Sequence, residues 1–362
     1  MKKNRSFILP LAFAVLLMVL MIPTKVQAAG LPFSVSPQLP SEQREKTSSY
    51  FDVIVGTGQQ TRLVVQLKNE TDQTVKVKAS VATAQTNDSG QVAYGIKQKT
   101  DTTLKYQLPD LVKGPATVTL PANETVAYTA TLTMPTQHFA GLVAGAFIFS
   151  PVTAQTTEAQ KGLAIKNEFR YAITVIARDV DQVWLPQLKL GAAQIRQDES
   201  QNTIAVPLNN VSATFLNQLH VETKAVNTTT GKKYQRTVSK MQMAPNSHFY
   251  YRLKLPTDPD AGKYRVETKA YYVRDSQGHY QATDGQRYRY QETSSNTVTL
   301  TQARKRQLQS KIKQAQGGTP WFVYAIGIGF GVLILIILIL VIILLRLRRK
   351  KRGGRSDEVS KK

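Results

Sequence analysis

Alternation with a period of two runs through most of the chain and restricts it to sheets. TVKVKASVATA (74–84) sets Val75, Val77, Ala79 and Val81 against polar neighbours, and ETVAYTATLTM (124–134) does the same with Val126, Tyr128, Ala130, Leu132 and Met134. HFYYRLKL (248–255) and GKYRVETKAYY (262–272) repeat the pattern. Successive side chains of a strand point to opposite faces, so this rhythm describes sheets with one buried face. KNETDQ (68–73), NDSG (87–90), NTTTGKK (227–233) and DPDAGK (258–263) supply the turns, because Asn, Asp and Gly tolerate the backbone conformations that tight turns require. Short strands between such turns predict an all-β chain of antiparallel sandwiches. Helical spacing begins only near residue 301, where QARKRQLQSKIKQAQ predicts a polar helix.

The two ends follow different rules. Lys2, Lys3 and Arg5 precede an apolar run from Phe7 to Ile22, and Val26 and Ala28 stand at −3 and −1 of a cleavage site. Residues 1–28 therefore read as a secretory signal peptide. Residues 321–345 carry no charge, and about 20 apolar residues suffice to cross the hydrocarbon core as a helix. Trp321 and Tyr324 stand where an interfacial aromatic belt belongs. The tail 346–362 holds nine Lys/Arg against two acids, whereas the stalk 301–320 holds five and none. The larger basic excess marks the tail as cytoplasmic. The expected topology is a single-pass cell-membrane protein with its N-terminal part outside.

One stretch stands apart. HFAGLVAGAFIFS (138–150) is almost wholly apolar at its centre, and Gly141 and Gly145 have the small-xxx-small spacing of packed membrane helices. The run from Phe139 to Phe149 is too short to span a bilayer as a helix. MPTQ before it and SPVT after it are strand-ending signals. It reads as a central strand buried on both faces, with a ligand groove as the other reading. A join near 178–183, where FRYAITVIARDVDQVWLPQLKL breaks at its charged centre, divides the exterior into 29–177 and 178–300.

The signal and tail, with thirteen Lys/Arg and two acids, supply +11 of the net charge of +23. The remainder is dispersed, so nucleic acid is not an expected partner, and an anionic cell wall is the more natural neighbour. The chain has no cysteine, which removes thiol catalysis, thiolate metal sites and disulfides, and leaves the domains to stand on their cores. The histidines, His138, His220, His248 and His279, show no metal-ligand spacing, and no G-x-S-x-G, S-x-x-K or Walker A motif occurs. TDPDAG (257–262) lacks the alternating ligands and closing Glu of a calcium loop. No catalytic residue, metal or cofactor is expected. The one suggestive cluster is Tyr271, Tyr272, Arg274, Tyr280, Arg287, Tyr288, Arg289 and Tyr290, residue types that anchor interfaces and stack on sugars. Ordinary strand faces with basic neighbours are the plainer explanation of the same cluster.

Several segments together carry a resemblance. Residues 33–90, VTLPANETV (118–126) and MPTQHFAGLVAGAFIF (134–149) are similar to the first domain of the WxL-interacting protein family, and VPLNNVSATFLNQLHVETKAVN (206–227), MQMAPNSHFYYRL (241–253) and AGKYRV (261–266) to its second. Where the family has a Gly-Gly pair this sequence has Gly145-Ala146, a departure that places a methyl group at the second position. The resemblance implies two tandem immunoglobulin-like sandwiches, a peptidoglycan-binding domain over 29–177 and a host-binding domain over 178–300. It also implies a Gram-positive cell-surface protein whose partners are WxL-domain proteins, peptidoglycan and host extracellular-matrix proteins. The function expected is non-catalytic tethering and adhesion. The alternative is an enzyme or sensor subunit acting on wall polymer, disfavoured by the missing motifs and the short tail.

Overall fold

The computed structural model describes residues 31–152, 169–198, 201–315, 328–332, 334–343 and 346. The expected signal peptide (1–28) and most of the expected basic tail lie outside them. Residues 328–332 and 334–343 are helical, with exposed apolar side chains such as Ile328, Phe330 and Leu338. Among the described residues no helix is long and apolar enough to cross a membrane, and the rest of 321–345 lies outside them.

The expected sheets are present. In the first sandwich one sheet runs β1 (Phe33–Gln38), β3 (Gln60–Asn69), β8 (Thr125–Thr133), β6 (Val112–Lys113). The facing sheet runs β2 (Phe51–Ile54), β10 (Tyr171–Arg178), β9 (Val143–Pro151), β4 (Val75–Thr86), β5 (Val92–Tyr94), with β7 (Thr117–Leu120) also on β4. The alternation read in the sequence points Val77, Ala79, Tyr128, Ala130 and Leu132 into the core between the two sheets. Tyr128 lies 5.5 Å from Phe147 and 5.2 Å from Phe149, both edge-on, and such pairs add about 0.5–1.5 kcal/mol beyond their burial.

One strand departs from the antiparallel expectation. β2 lies parallel to β10, with Phe51 opposite Val175. After β1 the chain changes sheets, so β2 meets the last strand of the sandwich running in its own direction. Nothing in a four-residue strand such as FDVI reveals this.

β9 is the central strand its sequence predicts. Val143, Phe147 and Phe149 enter the sandwich core, while Leu142 and Ala144 belong to a second cluster on the other face. A one-turn helix, α1 (Leu108–Leu111), which has no periodic signal, places fully buried Leu108 over Gly145. A Cβ at Gly145 would lie 2.2 Å from the Ala82 carbonyl oxygen and 2.6 Å from Leu108. The close approach therefore uses Gly145, and Ala146 is accommodated fully buried beside it.

In the second sandwich β13 (Gln201–Asn210) pairs on one side with β16 (Ser247–Lys254) and on the other with β11 (Leu188–Leu190) and β12 (Gln194–Asp198). The facing sheet runs β15 (Lys233–Met243), β14 (Leu216–Asn227), β17 (Gly262–Arg274), β19 (Arg287–Leu300), β18 (Tyr280–Gln281). Helix α2 (Gln302–Ala315) follows. Its first part is not a free spacer: Leu308 is 1% exposed in the second core, the Gln197 amide donates to the Leu308 carbonyl, and Lys305 pairs with Asp258.

Candidate functional site

The Tyr/Arg cluster divides into buried and surface members. Tyr271 and Tyr288 are 4% and 3% exposed and pack with Ala282 in a small cluster of their own. Tyr272 is buried in the second core and stacks on half-buried Tyr290 at 5.3 Å. Arg274, Tyr280, Arg287 and Arg289 are on the surface, where the Arg289 guanidinium pairs with Asp275 at 2.9 Å and Arg287 donates to the Gly278 carbonyl. The eight residues therefore do not form one exposed face. Tyr271, Tyr272 and Tyr288 are structural, because burying their rings removes far more apolar area from water than a surface position could.

What closes over Tyr271 is the loop between β17 and β19, and it covers a histidine. His220 is fully buried. Its Nε2 lies 2.9 Å from Glu222 Oε1, and its Nδ1 lies 2.8 Å from Ser239 Oγ and 3.1 Å from Asp284 Oδ2. Thr283 donates to the same Glu222 oxygen through its backbone N–H and its hydroxyl, both at 2.8 Å. Burial pushes the Glu222 carboxyl up, but the two bonds from Thr283, together with His220, outweigh it and hold the group below its ordinary value. Asp284 is likewise lowered: burial opposes, and the Gln286 N–H and His220 prevail. Burial, with the Asp284 carboxylate next to it, pushes the Tyr288 hydroxyl up to about 12.

Serine, histidine and carboxylate in a row have the groups of a nucleophilic triad. Here Asp284 occupies the same ring nitrogen as Ser239, and the imidazole is sealed from solvent. The arrangement fastens the loop to the sheet. Three non-glycine residues with positive φ surround it: Gln218 (58°) in β14, Lys240 (60°) in β15 and Val273 (59°) in β17. The β14–β15 register shifts between Leu216 and Val221, and Val273 has no partner in the otherwise continuous β17–β19 ladder. The β14–β15 irregularity locally disrupts the ladder, as bulges do, whereas the β17–β19 register is the same on both sides of Val273.

The second cluster is the joint between the sandwiches. The Ala244 N–H donates to Thr86 Oγ1 at 3.0 Å, and the Ser247 hydroxyl donates to the Ala244 carbonyl at 2.7 Å. That leaves the Thr86 hydroxyl as the donor in its 2.6 Å contact with Ser247 Oγ. All three groups are buried, and each polar atom in the ring is matched, as burial demands. Ala84, Leu142 and Ala144 from the first sandwich meet Ala244 from the second, with Tyr94, Ile176 and Phe215 around them. The Leu142 N–H donates to the Ala213 carbonyl, and the Gln242 N–H to the Gly90 carbonyl, both at 2.8 Å. Gly141 has φ 136°, and a Cβ there would lie 2.4 Å from both Ala213 Cβ and its carbonyl oxygen. Near the rim, His248 Nδ1 lies 2.7 Å from Asp101 and Arg252 pairs with Asp88 at 2.8 Å.

Thr86, Gly141, Ala213 and Ser247 were not singled out by sequence as functional residues. Gly141, Ala213 and Ser247 nevertheless sit in HFAGLVAGAF, SATFLNQ and QMAPNS, and Thr86 in the 33–90 segment, all strings that carry the family resemblance. These distant segments meet at the joint. Among the described residues no group of His, Asp and Glu is arranged to hold a metal.

Fold and joint together define a tandem β-sandwich protein whose halves are fastened to each other. The model of the WxL Interacting Protein peptidoglycan binding domain matches residues 33–151, and that of the WxL Interacting Protein host binding domain matches 160–309. The chain belongs to the WxL Interacting Protein family, and is a cell-surface protein with a peptidoglycan-binding domain followed by a host-binding domain. The second match begins at 160 and so takes in β10, whose hydrogen bonds lie in the first sandwich. No curated protein matches the chain.

Among solved structures, a chaperone–tip adhesin complex of CFA/I fimbriae is 10% identical, covering 74% of this chain and 99% of that one at a TM-score of 0.30. A chaperone–tip adhesion subunit complex of the Csu pili of Acinetobacter baumannii is 12% identical, covering 64% and 92% at 0.28. A family 123 glycoside hydrolase from Clostridium perfringens is 8% identical, covering 42% and 28% at 0.26. Likenesses this distant carry no functional weight.

Proposed function

We propose that this protein is a non-catalytic tether: its two sandwiches bind WxL-domain proteins and peptidoglycan, and its C-terminal segment holds the assembly at the cell membrane. The observation that carries the reading is the pair of family domains in tandem, covering the described β-structure almost end to end. The signal sequence, the uncharged run 321–345 and the basic tail support export and a single-pass anchor with the tail inside. We assign the first binding unit to 29–177 and the second to 178–300, with host matrix as a further partner of the second. Arg274, Tyr280, Arg287 and Arg289 are our candidates for partner contact, being the members of the Tyr/Arg set left on the surface. Anchoring would raise the partner's effective concentration at the membrane without adding any contact.

Surface plasmon resonance between the full chain in detergent and a purified WxL-domain protein of the same organism tests the reading. Direct, saturable binding is expected. No binding to any co-encoded WxL protein, with or without peptidoglycan, would leave host adhesion as the better account.

A further inference from the structure

Beside the joint, the two sandwiches enclose an open cleft of about 710 Å³. One wall comes from the β4–β5 turn and the segment after β5, with Asp88, Lys97 and Lys99; the other comes from β12 and β16, with Arg196, Tyr250 and Arg252. Four of these six side chains are cationic and one is acidic. Arg252 is held by Asp88, and His248, deeper in the cleft, is held by Asp101. Lys97 and Lys99 are exposed and have no counter-ion among the described residues. The Arg196 guanidinium carbon lies over the Tyr250 ring, 4.1 Å from its centroid. This cation–π contact holds the guanidinium against the wall of the cleft, where its N–H groups can donate.

We propose that this cleft binds a phosphodiester-linked polyol or sugar chain of the anionic cell wall. The site is an open trough, which suits a linear polymer better than an enclosed small molecule. Its cations sit on opposite walls, which suits single charges repeated along a chain. Lysines act as point charges that meet a tetrahedral phosphate from any direction, and Ile96 and Tyr250 offer apolar surface to the carbon backbone between phosphates. Because both sandwiches contribute, occupancy would also brace the joint, so the polymer stabilises the fold it bridges. The inference rests on the cell-surface assignment. It is independent of whether a WxL protein binds.

Calorimetric titration of the full chain in detergent tests it, using purified poly(glycerol phosphate), a muropeptide disaccharide and polyglutamate as probes. Poly(glycerol phosphate) should bind most tightly and weaken as salt rises, since exposed charges are screened within about 10 Å at 0.1 M. The double variant K97Q/K99Q and the single variant R196Q should each lose about tenfold or more in affinity, with unchanged melting temperature and unchanged WxL-protein binding. Asp88→Asn, which removes the acid, should tighten binding. Equal binding of polyglutamate, preference for the muropeptide, or affinity unaffected by K97Q/K99Q and R196Q would each overturn the proposal. Loss of polymer binding alongside intact WxL binding in the variants separates this site from the tethering function.

Discussion

His220 shows how much a single residue can conceal from the sequence. Its partners are at i+2, i+19 and i+64, a spacing that matches no motif, so it reads as solitary until the sheet places Glu222, Ser239 and Asp284 around it. Tyr271 and Tyr288 likewise become interior only where the returning loop covers them, which their own stretch of sequence does not show. The chemistry of the cluster gives a pH dependence with a definite sign. Glu222 and Asp284 have ordinary values of 4.5 and 3.8 and are held lower in the fold. A carboxylate lowered by folding stabilises only while ionised, so its contribution is complete above the unfolded value and is lost as pH falls through the folded one. Amide exchange in the loop 275–286 should therefore accelerate as pH is lowered below about 4.5, after correction for the intrinsic rate. Glu222→Ala should open the loop at neutral pH and cost about 1.5–3 kcal/mol, the worth of hydrogen bonds to a charged group. A loop equally protected at pH 3 and pH 6 would show that the two carboxylates do not hold it.

Elements with a continuous pattern were legible, and those defined by one residue were not. β9 announces itself through an apolar run between strand breakers. Its second buried face arises because another domain lies against Leu142 and Ala144, and the sequence predicts that burial without revealing the cause. α2 is the opposite case. QARKRQLQSKIKQAQ contains so few apolar residues that it reads as a solvated stalk, yet Leu308 is buried in the second core and Lys305 and Gln309 both reach Asp258. A soluble form ending at residue 300 should for this reason be less stable than one ending at 315. Deleting a buried leucine typically costs about 2–5 kcal/mol, which corresponds to several degrees in Tm for a protein of this size. Leu308→Ala in the longer form should reproduce most of the difference. Equal melting temperatures for the three would mean that the helix only touches the domain without supporting it.

At the scale of the whole molecule, the decisive feature is that the family-bearing segments converge on the joint. A patch containing Ala84, Leu142, Ala144 and Ala244 and a closed ring of hydrogen bonds through Thr86 and Ser247 are buried there. Separating the sandwiches would expose that apolar surface and strand polar groups that now satisfy each other. The two halves should therefore unfold together, in one calorimetric transition rather than two. Gly141 is the position at which this coupling can be broken by a single side chain. Its φ of 136° disfavours any L residue, and its Cβ position falls inside the contact distance of Ala213 Cβ and carbonyl oxygen. Relief of the clash requires Ala213 to move, and with it the loop that accepts the Leu142 hydrogen bond. Gly141→Val should split the transition in two and increase the radius of gyration in small-angle scattering, while each sandwich keeps its strand content by circular dichroism. A single transition at the original temperature in that variant would show that the halves are merely adjacent, and that the signature segments serve each sandwich separately.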